Sequence, residues 1–358
     1  MTGTHALIIG SGLIGTSTGL ALRAAGWQVR LDDDDPDAVA AAVDRGAGQP
    51  RDDADDDPDI VLVAVPPRHV VDVAGEALQR YPAATVTDVA SVKAPIVDIL
   101  VARQGSSAAR FVGGHPMAGR EVRGPGGAMP ELFRDRPWVL TPQANTEPER
   151  VLAVVDLVAA VGGIPIELSP EEHDRAVALT SHAPQVLASL LAGRLSGAED
   201  EQVLVSGQGL RDTIRIAASD PDLWSEILTA NSGPVVAELR CLAADLDHLI
   251  GELEAGGDQG RAAVYRAVSA GRRGAARLPG KHGSSAARYR TVRVAVPDEP
   301  GSLASLFAVA AEAEVNLEDV RIEHALGRPT GLVELSVAPD HAEELIRALQ
   351  AAGWSLRA

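Results

Sequence analysis

Short apolar runs alternate with stretches of helical spacing through the first half of the chain. Ala6–Ile9, Val29–Leu31, Ile60–Val65, Thr85–Val89, Val139–Thr141 and Ile164–Leu168 have the length and β-branched content of strands, and Thr16–Ala25 has helical composition. Strands separated by helices predict a mostly parallel sheet covered on both faces. From Ser169 the strand signal fades. Glu171–Leu179, Pro184–Leu195, Val203–Ala217, Leu223–Glu254 and Arg261–Arg272 predict an all-helical second domain. Gly271–Arg288 is rich in Gly, Arg and Ser and reads as a linker. Beyond it come strand (Tyr289–Val296), helix (Ser302–Ala313), strand (Val315–Glu323), strand (Gly331–Val337), helix (His341–Ala352) and strand (Trp354–Leu356). That βαββαβ order is ferredoxin-like. The expected domains are 1–168, 169–282 and 289–358, a division that a chain of 358 residues supports.

The formal net charge of −18 argues against nucleic acid and against an anionic membrane surface, because both need clustered Lys and Arg. An anionic small molecule then needs local cations in a pocket. Aromatic residues are only 3% of the chain, so Ala, Val and Leu must fill the cores. A single cysteine, Cys241, allows no disulfide within the chain and fits a reducing cytoplasm. No Cys/His spacing suits a structural metal site. The N-terminus enters an apolar strand directly, without a signal-peptide pattern, and no uninterrupted apolar run approaches a membrane span.

Gly10-Ser11-Gly12-Leu13-Ile14-Gly15 matches G-x-G-x-x-G, and it follows an apolar strand and opens a helix. That context makes the first domain a Rossmann-type dinucleotide-binding domain. Gly10 permits the tight turn, Gly12 lets the backbone approach a pyrophosphate, and Gly15 lets helix pack on strand. Leu13 and Ile14 begin the helix whose N–H groups face the phosphates. An acidic residue about 20 positions on bonds the ribose 2′-hydroxyl, and Asp33 fits that place. No Arg immediately follows it, and the run Asp32 to Asp35 repels a 2′-phosphate. NAD is the expected cofactor rather than NADP.

Three further groups of residues bear on chemistry. They are Asp88-Val89-Ala90-Ser91-Val92-Lys93; Gly113-Gly114-His115-Pro116-Met117-Ala118-Gly119; and, in the helical region, Thr180-Ser181-His182-Ala183-Pro184-Gln185 with Arg211-Asp212-Thr213-Ile214-Arg215 and Ser219-Asp220-Pro221-Asp222-Leu223-Trp224, then Asn231. In order and spacing they resemble the prephenate/arogenate dehydrogenases of tyrosine biosynthesis. The resemblance implies oxidative decarboxylation of a cyclohexadienol, with hydride passing to NAD. It implies that His115, set in a Gly/Pro-rich turn, takes a hydrogen bond or proton from the 4-hydroxyl, with Ser91 as its hydrogen-bonding partner. A histidine suits this, since its ordinary pKa of about 6.5 lies near working pH. The resemblance places Arg215 against the ring carboxylate, and Asp212, at i−3, can orient it. It points His182, at an expected helix start, toward the substrate. Lys93 supports the site, and Trp224 reads as core packing. A homodimer is also expected. Arg120, following Gly119, departs from the small polar residue of many relatives, and the choice between prephenate and arogenate stays open.

In the C-terminal unit, Asp298-Glu299-Pro300-Gly301-Ser302 follows the first strand and Asn316 opens the second. This resembles an ACT domain, an amino-acid-sensing module. The resemblance implies an effector site at Asp298, Gly301 and Asn316, with tyrosine or another aromatic amino acid as effector. Two other functions compete. A β-hydroxyacid dehydrogenase relative relies on a catalytic Lys in its helical domain, but after Lys93 only Lys281 remains, in the linker. A non-catalytic regulator binding NAD and an amino acid has no need of His115, Ser91 and Arg215.

Overall fold

The apolar runs of the first half assemble into one twisted sheet. The computed structural model describes residues 4–52, 57–119, 122, 124–278, 289–324 and 330–357. The chain divides into two units, Met1–Ala244 and Asp245–Ala358. The first unit begins β1 (His5–Ile9), α1 (Leu13–Ala24), β2 (Gln28–Asp32), α2 (Pro36–Asp44), β3 (Gln49–Pro50), β4 (Ile60–Val63), α3 (Pro67–Arg80), β5 (Thr85–Asp88), α4 (Ala94–Gln104), β6 (Phe111–Pro116), β7 (Pro137–Thr141), α5 (Pro148–Ala160) and β8 (Ile164–Glu167). The sheet order is β3-β2-β1-β4-β5-β6-β7-β8. All its pairings are parallel except β6 with β7. The order reverses between β1 and β4, so the crevice beyond their C-terminal ends is where such a sheet binds ligands.

Residues alternate between the two faces, and each face has its own core. Ile8, Ile60 and Leu62 pack with Leu22, Trp138 and Leu157 on one side. Leu7, Val61 and Val63 pack with Val70, Leu78 and Leu100 on the other. This double coverage is why the strands read as unbroken apolar runs. Strand β6 departs from expectation: Gly113 and Gly114 look like turn residues, yet they lie in a strand. A Cβ on Gly113 would stand 2.3 Å from Thr141 Oγ1, and one on Gly114 2.5 Å from the Asp88 carbonyl oxygen. The glycines are there for close strand packing.

The helical region continues with α6 (Pro170–Val177), a π-helical turn (Ala178–His182) and α7 (Ala183–Leu195), which run on as one helix, Pro170–Leu195. Pro184 cannot donate to the carbonyl one turn back, and the widened turn beside it absorbs that defect without ending the helix. His182 therefore lies inside a continuous helix and not at a helix start. This helix is long and apolar enough to cross a membrane, where the sequence pattern predicts no such span. Its first turns carry Glu171, Glu172, His173, Asp174 and Arg175, and its π turn ends on the buried His182.

The stretch expected as one helix over 203–217 is broken at Gly207 into α8 (Asp200–Leu204), α9 (Gln208–Ile214) and a 3₁₀ turn (Arg215–Ala218). The stretch 223–254 is broken at Asn231 into α10 (Pro221–Ala230) and α11 (Ser232–Ala255). The boundary between the two units falls within α11.

In the second unit α12 (Gly257–Ala275) overruns the expected start of the linker, since Arg and Ala favour helix. Then come β9 (Arg290–Pro297), α13 (Ser302–Glu312), β10 (Asp319–His324), β11 (Thr330–Val337), α14 (Ala342–Ala351) and β12 (Ser355–Arg357). Their antiparallel sheet has the order β10-β11-β9-β12, which is the ferredoxin-like arrangement of a βαββαβ unit. Val292, Val294 and Val296 of β9 and Val333, Leu335 and Val337 of β11 alternate inward against Leu306, Leu345 and Leu349.

Candidate active site

The glycine loop joins β1 to α1 at the switch point. Gly10 has φ +110°, and a Cβ there would meet the Ala64 carbonyl oxygen at 2.4 Å. A Cβ on Gly15 would meet the Gly10 carbonyl oxygen at 1.9 Å, so helix and strand approach too closely for a side chain. Gly12 is different: a Cβ there meets nothing within 4 Å. Gly12 is the N-cap of α1, no side chain caps the helix, and its first turn holds no acid. The N–H groups from Leu13 and Ile14 onward thus offer an uncapped positive end of the kind that binds phosphate.

Asp32, Asp33 and Asp35, at the end of β2, have separate partners. Asp33 accepts from the Ser11 N–H at 2.5 Å and from the Asp35 N–H at 3.0 Å, which brings its carboxylate against the glycine loop. Asp35 caps α2. Asp32 pairs with Arg51 at 2.7 Å. Arg51 is the nearby guanidinium that sequence order hides, and Asp32 neutralises it. The loop and Asp33 together fit a dinucleotide with a free ribose 2′-hydroxyl.

His115 stands near the C-terminal end of β6 and is buried. Its expected setting, a Gly/Pro-rich turn, is corrected to a strand. A partner that the sequence did not indicate lies against the ring. Nδ1 of His115 lies 2.8 Å from Nε2 of His173, and among the described residues Ser91, half-buried, makes no hydrogen bond to it. The two imidazoles meet edge to face, with centroids 5.0 Å apart. Nδ1 of His173 lies 2.7 Å from Asp174 Oδ1. Burial, then the neighbouring His173, Lys93 and His182, hold the His115 pKa well below its ordinary value, so the ring is neutral at neutral pH.

His182 is also buried. Its pKa is pushed down to about 4, chiefly by burial, which Asp174 opposes and His173 reinforces. Asn231 Nδ2 donates to the Asp174 carbonyl oxygen at 2.8 Å and stands 3.0 Å from His182 Nδ1. A carbonyl can only accept, so the Asn231 amide is fixed with its NH₂ toward both groups. His182 Nδ1 is the acceptor, and the neutral ring carries its proton on Nε2. Trp224 meets His182 edge to face at 6.0 Å and is only half-buried, so it borders this cluster and is not core.

Arg215 is exposed and begins the 3₁₀ turn, which packs against α7. Gln185 Nε2 donates to the Ile216 carbonyl at 3.1 Å and ties that turn to the helix carrying His182. Asp212 accepts from Gln208 at 2.8 Å. Arg120 lies outside the described residues.

Sequence reasoning missed His173 and Asp174. A signal existed: Pro170, His173, Asp174 and Val177 are the buried positions of α6, spaced at one helical face. In the second unit Gly301 has φ +90° and is the N-cap of α13, which no side chain caps. Asp298 is exposed. Asn316 lies in the loop before β10 rather than at its start, and donates to Glu318 at 2.6 Å. Among the described residues no group of three or more His, Cys, Asp or Glu is placed to hold a metal.

Comparison with known proteins agrees with this geometry. Residues 18–167 match the nucleotide-binding domain of prephenate dehydrogenase, and residues 169–263 match its dimerization domain. The chain is 37% identical over 357 residues to the probable prephenate dehydrogenase NovF of Streptomyces niveus, covering 98% of each. The prephenate dehydrogenase of Aquifex aeolicus, solved with hydroxyphenyl propionate and NAD⁺, is 29% identical with a TM-score of 0.68, over 77% of this chain and 99% of that one. The arogenate dehydrogenase of Synechocystis is 26% identical with a TM-score of 0.65, over 76% and 100%. This chain belongs to the prephenate dehydrogenase family.

Proposed function

We propose that the protein is an NAD-dependent prephenate dehydrogenase, converting prephenate to 4-hydroxyphenylpyruvate and CO₂. The observation that carries this reading is His115: a buried, neutral imidazole near the C-terminal end of a strand in a sheet whose switch point holds an uncapped glycine loop. When bound, NAD supplies the acceptor for the hydride. The glycine loop (Gly10, Gly12, Leu13, Ile14, Gly15) holds its pyrophosphate and Asp33 its ribose. His115 takes the proton of the 4-hydroxyl as the ring carbon loses hydride, and Ser91 lines the same site. His182 donates from Nε2 to a substrate oxygen. Arg215 pairs with the ring carboxylate, whose loss as CO₂ makes the ring aromatic, and Asp212 stands on the preceding turn.

The domains are 1–168 for the dinucleotide, 169–282 for substrate and dimerisation, and 289–358 for regulation. Exposed Leu190, Leu204 and Val205, at 65%, 67% and 83%, support a homodimer through the helical region. The ferredoxin-like unit with its Gly301 turn supports an ACT-type sensor of tyrosine, and the lone Cys241 supports a cytoplasmic setting. Arogenate dehydrogenase is the second reading, favoured by the likeness to the Synechocystis enzyme. The substrates differ only in side chain, keto against ammonium. NADH formation measured with prephenate and arogenate side by side tests both; turnover of neither would overturn the assignment.

A further inference from the structure

We propose that His173 is a positioning residue for His115: with Asp174 it fixes the proton of the His115 ring on Nδ1 and leaves the Nε2 lone pair to take the substrate's hydroxyl proton. The inference rests on reading His115 as the acceptor of that proton.

The direction of the relay follows from its far end. Asp174 accepts at Oδ1 from the Lys93 N–H at 2.8 Å and at Oδ2 from the Ala94 N–H at 2.9 Å. Both oxygens already act as acceptors, so His173 Nδ1 is the donor across their 2.7 Å contact. When His173 carries that one N–H alone, its Nε2 is a lone pair. His115 Nδ1, 2.8 Å away, must then supply the hydrogen between the two rings. One tautomer of His115 satisfies the whole chain. The other would set two lone pairs against each other in a buried site, where an unmade hydrogen bond costs its full desolvation.

Burial makes the constraint effective. His115, His173 and Asp174 are 9%, 0% and 3% exposed, so water is a poor substitute for a missing partner. Asp174 also reaches the second histidine by a different atom. Its backbone carbonyl holds Asn231, and Asn231 donates to His182 Nδ1. One residue of α6 thereby gives two neutral rings opposite tautomers. His115 presents an acceptor at Nε2, and His182 presents a donor at Nε2.

The test is the ring ¹⁵N spectrum of the full-length protein, labelled at histidine and recorded without substrate at neutral pH. Comparison with His115→Asn identifies the His115 signals among those of nine histidines. The expected result is a protonated, pyrrole-type Nδ1 and a bare, pyridine-type Nε2 on His115. In His173→Leu the two tautomers should mix, and kcat for NADH formation should fall at least about 10-fold with KM little changed. A pyridine-type Nδ1 on wild-type His115 would overturn the proposal, as would an unchanged kcat in His173→Leu. The wild-type spectrum decides the matter even if that variant fails to fold. Failure of the functional reading looks different: wild-type enzyme then forms no NADH from prephenate, while the His115 signals still report the relay.

Discussion

Lys93 Nζ donates at 2.8 Å to the carbonyl oxygen of Gly114, the residue immediately before His115. The same ammonium pairs with Asp88, whose Oδ1 accepts from the Gly114 N–H at 3.0 Å. One ion pair therefore holds both polar backbone groups of Gly114, and both its side chains are fully buried. Burial pulls the Lys93 pKa down, while Asp88 and then Asp174 oppose it. Lys93→Met leaves the Asp88 carboxylate uncompensated, a loss of about 3–5 kcal/mol for a buried pair. Urea denaturation should show that loss, and adding Asp88→Asn should recover part of it. Equal midpoints for wild type and Lys93→Met would show that the pair contributes nothing.

His115→Asn removes the ring nitrogen to which the proposed function assigns the hydroxyl proton. Proton acceptance by a positioned base contributes about 10²–10⁴-fold, so kcat should fall by about 10² or more. KM should change little, because the loss is felt in the transition state. Initial rates of NADH formation over a range of prephenate check this, and a near-normal kcat removes His115 from the chemistry.

Asp33 accepts from the Ser11 N–H of the glycine loop, and the proposed function makes it the ribose acceptor as well. Asp33→Ala should therefore weaken NAD binding. It should also narrow the preference over NADP, because a carboxylate that would repel a 2′-phosphate is then gone. Fluorescence titration with the two reduced cofactors measures both effects. A wild-type enzyme that already prefers NADP would refute the role given to Asp33.

The pH dependence of stability follows from the buried imidazoles. His182 is pushed from 6.5 to about 4, and His115 also lies well below 6.5. As pH falls through 6.5 the unfolded chain binds protons that the folded chain refuses, so unfolding free energy decreases. The His182 contribution is fully present above pH 6.5 and declines until about pH 4, where the folded ring also protonates. Urea denaturation across that window should show stability rising with pH. His182→Gln should flatten the slope; a slope equal to wild type would exclude His182 as its source.

What the sequence makes legible here is local. The glycine loop declares itself because Gly10, Gly12 and Gly15 do their work within one strand-turn-helix unit, and Asp33 follows at a fixed distance. The strand position of His115 is hidden because Gly113 and Gly114 answer to neighbours far along the chain, Thr141 and Asp88. His173 and Asp174 are hidden for a related reason. In the polar run Glu171-Glu172-His173-Asp174-Arg175 they look like the solvated start of a helix, and only the spacing to Pro170 and Val177 shows which face turns inward. Arg51 escapes notice because its partner Asp32 reaches it across a two-residue strand too short to leave a pattern.

The Gly301 turn offers a way to separate regulation from catalysis. Tyrosine can act at the ferredoxin-like unit or compete at the active site, since it resembles the product. Feedback through a separate site needs an effector that binds one state of the enzyme better than another, with coupling of about 1–3 kcal/mol. Gly301 has φ +90°, and a Cβ there meets nothing within 4 Å, so Gly301→Val introduces backbone strain with no clash at its Cβ. The strain falls on the uncapped N-terminus of α13, where an amino acid's carboxylate would be held. The hydrophobic core of the unit, built on Val294, Leu306, Leu335 and Leu345, is not touched. The variant should therefore keep wild-type kcat and KM for prephenate while losing the non-competitive part of tyrosine inhibition. Inhibition assays at several prephenate concentrations distinguish the two routes. If Gly301→Val and wild type are inhibited equally, and purely competitively, tyrosine binds at the active site and the C-terminal unit does not sense it.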